Sequence, residues 1–313
     1  MTPIDLVWNP NALRLRDDPR LLATVRALAG ERVRVHETGA IAELDGLVAE
    51  LAASGARTVA LAGGDGTYMA FASALERAWP RERGPFPTLA LLPGGTVSTV
   101  ARNFGLRGDV VSVLRSMLAR HERDELTSTA RATLRVGDGT TARVGFMFGT
   151  ALVANFFGAY YGTGGAGYAD AARIVARVFV SSFVSGAFAR RILDPMAMTI
   201  VADGRELAPK AYSLVRASTV RDVGLHMWVC HRAAEDPTRP HLVAAPMPPR
   251  SLGPQMPRVL LGRKLVGRDH FDDLVTRAEI RFDGEGPYVL DGDVFRAARV
   301  TVEAGPMVHV ADY

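Results

Sequence analysis

Leu61-Ala62-Gly63-Gly64-Asp65-Gly66-Thr67 follows the run Thr58-Val59-Ala60 and opens onto the apolar stretch Tyr68-Met69-Ala70-Phe71-Ala72. The order predicts strand, glycine loop and helix. Three glycines let the backbone approach a polyanion without Cβ clashes, and the first N–H groups of the helix point at it. A carboxylate inside an anion-binding loop needs a divalent cation, a lysine or a proton transfer to offset its charge, so Asp65 points to metal-dependent phosphate chemistry. The alternative is a tight strand-to-helix turn with Asp65 as an N-cap.

Working outward, Ile4-Asp5-Leu6-Val7-Trp8 reads as a strand that ends in the turn Asn9-Pro10-Asn11-Ala12. A helix over 19–29 is stopped by Gly30, and a strand over 33–35 leaves Thr38 just past its end. Helices are predicted over 41–53 and 68–79, with strands over 58–62 and 88–92. The last of these leads into Pro93-Gly94-Gly95-Thr96, with another helix from Ser98. Strands alternating with helices predict a wound parallel sheet, whose ligands bind beyond the strands' carboxyl ends. Asn9, Thr38, Gly63 to Thr67, Gly94, Gly95 and Thr96 all fall at that edge.

From Thr127 the texture becomes alternating strands joined by Asp-Gly turns. Residues 132–144 read as a hairpin in which Asp138, although part of a second Gly-Asp-Gly-Thr, is a turn residue. Further strands are expected over 196–201, 211–217, 226–230, 241–245, 278–282 and 299–302. One helical insertion, 168–193, interrupts this antiparallel second domain.

Composition narrows the function. At 313 residues and 48% hydrophobic content, two domains are the better expectation. The net charge of +4 is mild and spread out, which does not favour nucleic acid as a partner. A single cysteine, Cys230, excludes an internal disulfide and a cysteine-cluster metal site. The N-terminus lacks the regions of a signal peptide, and no uncharged apolar run has the length of about 20 residues that a bilayer demands. The expected location is cytoplasmic, with peripheral contact at a membrane left open and no transmembrane segment. No Gly-x-x-x-x-Gly-Lys-Ser/Thr is present. The glycine series Gly162 to Gly167 lacks a strand-turn-helix frame and reads as a lid or turn; His36 and His226 read as isolated structural residues. Asp283-Gly284-Glu285 and Asp291-Gly292-Asp293 each fit a solvated hairpin turn.

Together these signatures resemble the diacylglycerol kinase and sphingosine kinase type of lipid kinase. Asn9-Pro10-Asn11-Ala12 is similar to the family's Asn-Pro motif, and Thr38 to the Thr or Ser after its second strand. Residues 63–67 match its Gly-Gly-Asp-Gly-Thr loop at every position. Pro93-Gly94-Gly95-Thr96, with Ala101-Arg102 beyond, resembles its Pro-x-Gly-Thr turn, and Asp291-Gly292-Asp293 sits where the family has Asp-Gly-Glu. Three departures stand out: Ser98-Thr99 replaces Asn-Asp, Asp293 replaces Glu, and the acidic glycine loop that holds a structural metal in some bacterial members is not recognisable.

The resemblance implies an N-terminal nucleotide domain (1–126), a C-terminal antiparallel β-sandwich for the lipid (127–298), and a terminal segment (299–313) returning to the first domain. It further implies an ATP-dependent kinase acting on a lipid hydroxyl at a membrane surface, in the cleft between the domains. Gly63, Gly64, Asp65, Gly66, Thr67 and Gly95 would hold the ATP phosphates with Asn9, Thr38 and Thr96. Asp65 would organise Mg²⁺, and Asp293 would act as the base. A soluble kinase of NAD-kinase type shares the glycine loop but has no second matching motif here, and the aromatic region 146–161 suits an acyl chain better. A non-catalytic lipid or nucleotide sensor would account for Ser98-Thr99. A homodimer stays open. The apolar stretch 174–191, flanked by Arg173, Arg177, Arg190 and Arg191, either covers one end of the β-domain or touches a bilayer through Phe179 and Phe183.

Overall fold

Apolar runs bounded by glycine and proline become the strands of a parallel sheet in the first part of the chain. The computed structural model describes residues 3–162, 167–184 and 186–313. In chain order the elements are β1 (Ile4–Trp8), α1 (Leu13–Asp17), α2 (Leu21–Ala29), β2 (Val33–Glu37), α3 (Leu44–Ser54), β3 (Thr58–Gly63), α4 (Asp65–Ala78), β4 (Thr88–Pro93), α5 (Thr99–Asn103), α6 (Val110–Glu122) and β5 (Thr127–Arg131). The sheet order is β2-β1-β3-β4, all parallel. The chain's last strand, Val308–Asp312, adds parallel to β4, and β5 pairs antiparallel to it. One face of the sheet packs Leu6, Ala60, Ala62 and Leu92 against Val25, Leu114 and Met117 of α2 and α6. Val59, Leu61, Leu89 and Leu91, on the other face, are equally buried. Burial on both faces is why these strands are continuous apolar runs.

The second unit contains β6 (Leu134–Gly137), β7 (Ala142–Gly145), β8 (Met147–Ala151), α7 (Leu152–Gly162), α8 (Tyr168–Ser182), α9 (Ala187–Leu193), β9 (Met196–Ala202), β10 (Arg205–Glu206), β11 (Ala211–Tyr212), β12 (Leu214–Ser218), β13 (His241–Ala245), α10 (Pro249–Leu252), α11 (Met256–Leu260), β14 (Phe271–Leu274), β15 (Arg277–Leu290) and β16 (Asp293–Ala304). They form an 11-stranded sheet with the main path β14-β13-β12-β8-β15-β16-β6-β7. A register shift between Arg281 and Gly286 divides β15; its first half pairs with β9 and its second with β8. Helices α7 to α9 share a core with the sheet, in which Tyr160, Ile174, Val178 and Ile192 join Leu214, Val243 and Val289.

The architecture is α/β with a wound parallel sheet followed by an antiparallel β unit, as expected. The units themselves are Met1–Arg131 with Pro306–Tyr313, and Ala132–Gly305. The expected bounds of 126 and 298 shift because β5 pairs with the last strand, whereas β16 continues to Ala304 beside β15. Helix α4 begins at Asp65 rather than Tyr68, since the Gly64 carbonyl accepts from Thr67 N (2.9 Å) and Tyr68 N (3.1 Å). The 41–53 helix is a 3₁₀ turn followed by α3, and α1 and α7 were not anticipated. The expected strand 226–230 is instead a turn. Leu225 and His226 adopt φ of 56° and 54°, and Met227 N donates to Gly224 O. The 168–193 insertion is two helices, α8 and α9. Thr163, Gly164, Gly165 and Ala166 of the second glycine series, and Ser185 of the apolar stretch, lie outside the described residues. Among the described residues no single helix is long and apolar enough to cross a membrane.

Candidate active site

Parallel pairing of β1 to β4 aligns their carboxyl ends, and with them most of the candidate residues. Asn9 N donates to Ala62 O and Thr38 N to Trp8 O, so the exits of β1, β2 and β3 lie side by side. Asn9 Nδ2 donates to Thr67 Oγ1 at 2.8 Å, and Asn11 N to Asn9 Oδ1 at 2.9 Å. Gly94 N donates to Gly63 O at 2.8 Å, extending the β3–β4 ladder into the two glycine turns. There Gly64 and Gly95 meet backbone to backbone; a Cβ on Gly95 would lie 2.5 Å from Gly64 Cα. Real Cβ atoms do not approach so closely, so Gly95 demands glycine, and a Cβ on Gly64 would sit a tight 3.1 Å from Gly95 Cα. Thr96 O accepts from Arg14 Nη2 at 3.3 Å, tying the second turn to α1. Helix α4 has no side-chain cap, which leaves the amides at its start directed at the space beyond the turns.

Asp65 is the first residue of α4, yet it serves another helix. Its carboxylate accepts from Thr99 N (2.8 Å) and Val100 N (3.0 Å), the first amides of α5. Asp65 is therefore a cap, as the alternative reading had it, but for a helix 34 residues further on. Burial pushes its pKa up to about 6 against these amides and Arg102, which favour the ionised form. Ser98, just before α5, has φ 51° and ψ 54°, and its buried Oγ has no hydrogen-bond partner. This left-handed conformation suits asparagine better than serine. Because Asp65 bonds the backbone, the Ser98-Thr99 departure leaves those two hydrogen bonds in place.

Asp293 belongs to the second unit. Asp291 (φ 48°) and Gly292 (φ 98°) form the two-residue turn between β15 and β16, in which Leu290 pairs with Asp293. Asp291 is buried and accepts from Phe146 N and Met147 N at 2.9 Å, fastening the hairpin to β8. Its neighbour Asp293 remains open to solvent, but the surrounding protein raises its pKa above the usual carboxylate value. Tyr161 donates to Gly292 O at 3.0 Å, and its phenol is pushed up to about 12, first by burial and then by the Asp293 charge. Tyr161 sits with Phe157, Phe156 and Tyr160 in an aromatic cluster on α7. Asp283, Gly284 and Glu285 are an exposed bulge in β15. That acidic pair is solvated, within a strand rather than at a hairpin turn.

The fold and the glycine-turn geometry define a class. Residues 4–128 match the model of the diacylglycerol kinase catalytic domain, and this part of the chain is a domain of that family. The whole chain shares its fold with solved proteins of Bacillus anthracis str. Sterne. One described as a diacylglycerol kinase is 15% identical, with a TM-score of 0.59 over 98% of this chain and 96% of that one. Two proposed to be diacylglycerol kinases are 15% and 16% identical, with TM-scores of 0.65 and 0.63. The alignments cover 97% of this chain in both cases, and 93% and 94% of those chains. No curated protein matches this sequence.

Several polar residues had no local signal. His36 is not isolated: its Nε2 lies 2.8 Å from Asp5 Oδ1 across the β1–β2 pair. Asp291 carried the resemblance to Asp-Gly-Glu, but its structural role depends on amides 145 residues away. His231, His241 and Asp272 come together only through the β13–β14 pairing and the turn before it.

Proposed function

We propose that the protein is an ATP-dependent lipid kinase that transfers the γ-phosphoryl group of ATP to a hydroxyl of a diacylglycerol-like or sphingoid lipid. The observation that carries this reading is the Gly64–Gly95 backbone contact beside the uncapped start of α4, within a domain of the diacylglycerol kinase catalytic family. A side chain on Gly95 would collide with the Gly64 backbone, which leaves the turns free of side chains there and their amides available to a ligand. Residues 63–67 would hold the phosphates through these amides, with Asn9, Thr38, Gly95 and Thr96 adding hydrogen bonds.

The donor set fits ATP and Mg²⁺. Asp65 accepts from the Thr99 and Val100 amides and from the Thr99 side chain, and the remaining carboxylate lone pair is enough for a hard cation that takes one or two carboxylates plus phosphate oxygens. Mg²⁺ supplies neutralisation of the charge developing on the transferred phosphoryl. Asp293 would accept the proton of the lipid hydroxyl as its oxygen bonds to the γ-phosphorus and the bond to the leaving diphosphate oxygen breaks. The aromatic cluster of α7, beside the Asp291–Asp293 turn, suits an acyl chain. Thin-layer separation of products from γ-labelled ATP, a mixed lipid extract and, in parallel, NAD tests the reading. A labelled lipid supports it, labelled NADP overturns it in favour of the soluble kinase, and no labelled product leaves the sensor, the reading that Ser98-Thr99 favours.

A lipid substrate also requires contact with a bilayer. On α8 the core side is Ala171, Ile174, Val178 and Ser182, while Val180, Phe183 and Val184 at its end are exposed. Phe179 is only half exposed and packs on Phe183, and Arg173 and Arg177 are engaged by Asp170 and Phe188. The contact therefore rests on the three exposed apolar residues with Arg190 and Arg191 nearby. A Val180→Ser/Val184→Ser variant is expected to bind anionic vesicles about tenfold more weakly in flotation, at roughly 0.7 kcal/mol per residue, and to spare turnover of a short-chain soluble analogue. Equal loss on both substrates with a lowered melting temperature would make the patch part of the core instead.

A further inference from the structure

We infer that His231, His241 and Asp272 form a zinc site in the second unit, built where the turn before β13 meets the β13–β14 edge. Their ligating atoms lie within 4.8 Å of one another. Strand register produces half of the site: Asp272 pairs opposite Val243, which places it diagonal to His241 on the same sheet face. His241 Nε2 and Asp272 Oδ1 are 2.9 Å apart, with both side chains essentially inaccessible to water. The turn supplies the other half, with the His231 ring 5.0 Å from that of His241 and nearly perpendicular to it.

A buried histidine-aspartate pair is by itself an ordinary structural element. Two further observations point to a ligand. Asp272 Oδ2 and His231 Nδ1 are both buried and have no hydrogen-bond partner among the described residues. Buried polar atoms are almost always satisfied, and a cation that accepts both lone pairs would satisfy these at once. The surrounding bonds already orient the ligands. Arg232 N points at His241 Nδ1 at 3.4 Å, which leaves Nε2 facing Asp272, and Arg232 Nη1 bonds Asp273 Oδ1 at 2.6 Å, fixing the turn against β14.

The donor chemistry selects the metal. Two imidazoles and one carboxylate suit zinc or a neighbouring transition ion, whereas Mg²⁺ and Ca²⁺ prefer all-oxygen shells. Zinc bonds of about 2.0–2.1 Å require ligand atoms roughly 3.3 Å apart in a tetrahedral site, so binding would draw the three groups to that spacing and require the neutral His241 tautomer with its proton moved from Nε2 to Nδ1, in place of the long contact from Arg232 N. Cys230 is not part of the set, which is His231, His241 and Asp272 alone among the described residues. The site is independent of the kinase reading; its role is to pin the 229–234 turn to the sheet edge.

Zinc stoichiometry and affinity of the full chain, measured by competition with a chromophoric chelator, provide the test. One zinc per chain is expected, with a melting temperature that rises on adding Zn²⁺ and falls with EDTA. His231→Gln, at a half-exposed position that should fold normally, is expected to lower affinity at least tenfold, and Asp272→Asn to do the same. Absence of zinc binding by the parent chain overturns the site, as does unchanged binding by folded His231→Gln, verified by circular dichroism.

Discussion

Asp293→Ala is expected to lower lipid phosphorylation about 10²- to 10⁴-fold, the range for loss of a general base, while Glu285→Ala leaves it unchanged. The structure separates these acidic pairs. Glu285 lies in an exposed bulge, where its carboxylate meets bulk water and Arg296 at 4.0 Å. Asp293 adjoins a buried turn and Tyr161, in surroundings that raise its pKa. A base works only when ionised, so a raised pKa has a definite sign. The acid limb of kcat/KM should fall at a pH above the ordinary aspartate value of about 4; Asp65, pushed up to about 6, shapes the same limb, so Asp293→Ala should change the limb's steepness and midpoint and leave the Asp65 ionisation behind. Asp293→Glu, which restores the family's side chain, is expected to keep measurable activity. Initial rates with radiolabelled ATP provide the check, and full activity of Asp293→Ala would move the base elsewhere. The adjacent Asp291 cannot serve as a control, because its carboxylate fastens the hairpin to the amides of Phe146 and Met147.

Asp65→Asn is expected to abolish Mg²⁺-dependent transfer and to cost about 1–2 kcal/mol of stability in urea unfolding. The stability cost follows from the α5 cap. An asparagine has one acceptor oxygen for two amide donors, and its NH₂ group would face the second donor. The activity loss follows from charge, since a neutral amide is a poor partner for a divalent cation among phosphates. The two contributions separate by titration with Mg²⁺. A variant that regains its rate at high Mg²⁺ has lost metal affinity, whereas one inactive at all concentrations has lost the position of the turns. Undiminished turnover at ordinary Mg²⁺ would remove Asp65 from the site.

The legible part of this protein is local. Alternation of apolar runs with glycine-terminated helices is set by propensities over a few residues, so the wound sheet and the edge bearing Asn9, Thr38, Gly63 to Thr67, Gly95 and Thr96 could be read from the sequence. The shared fold agrees with the wound sheet. Local signals failed where a partner is distant. The second-domain boundaries depend on pairing of Thr127–Arg131 with the last strand, and the 226–230 segment forms a turn although its apolar residues suggested a strand.

By itself, the sequence determined the alternation of strands and helices in the first unit, the glycine turns and the residue types available for phosphate chemistry. Tertiary structure decided what each polar side chain does with them. It gave Asp65 to the amides of α5, Asp291 to β8, and Asp5 to His36, and it assembled His231, His241 and Asp272 around one point. The physical reason is that a buried carboxylate or imidazole must find partners wherever the packed chain offers them, and those partners are set by strand register and helix placement over tens to hundreds of residues, which no short window of sequence contains.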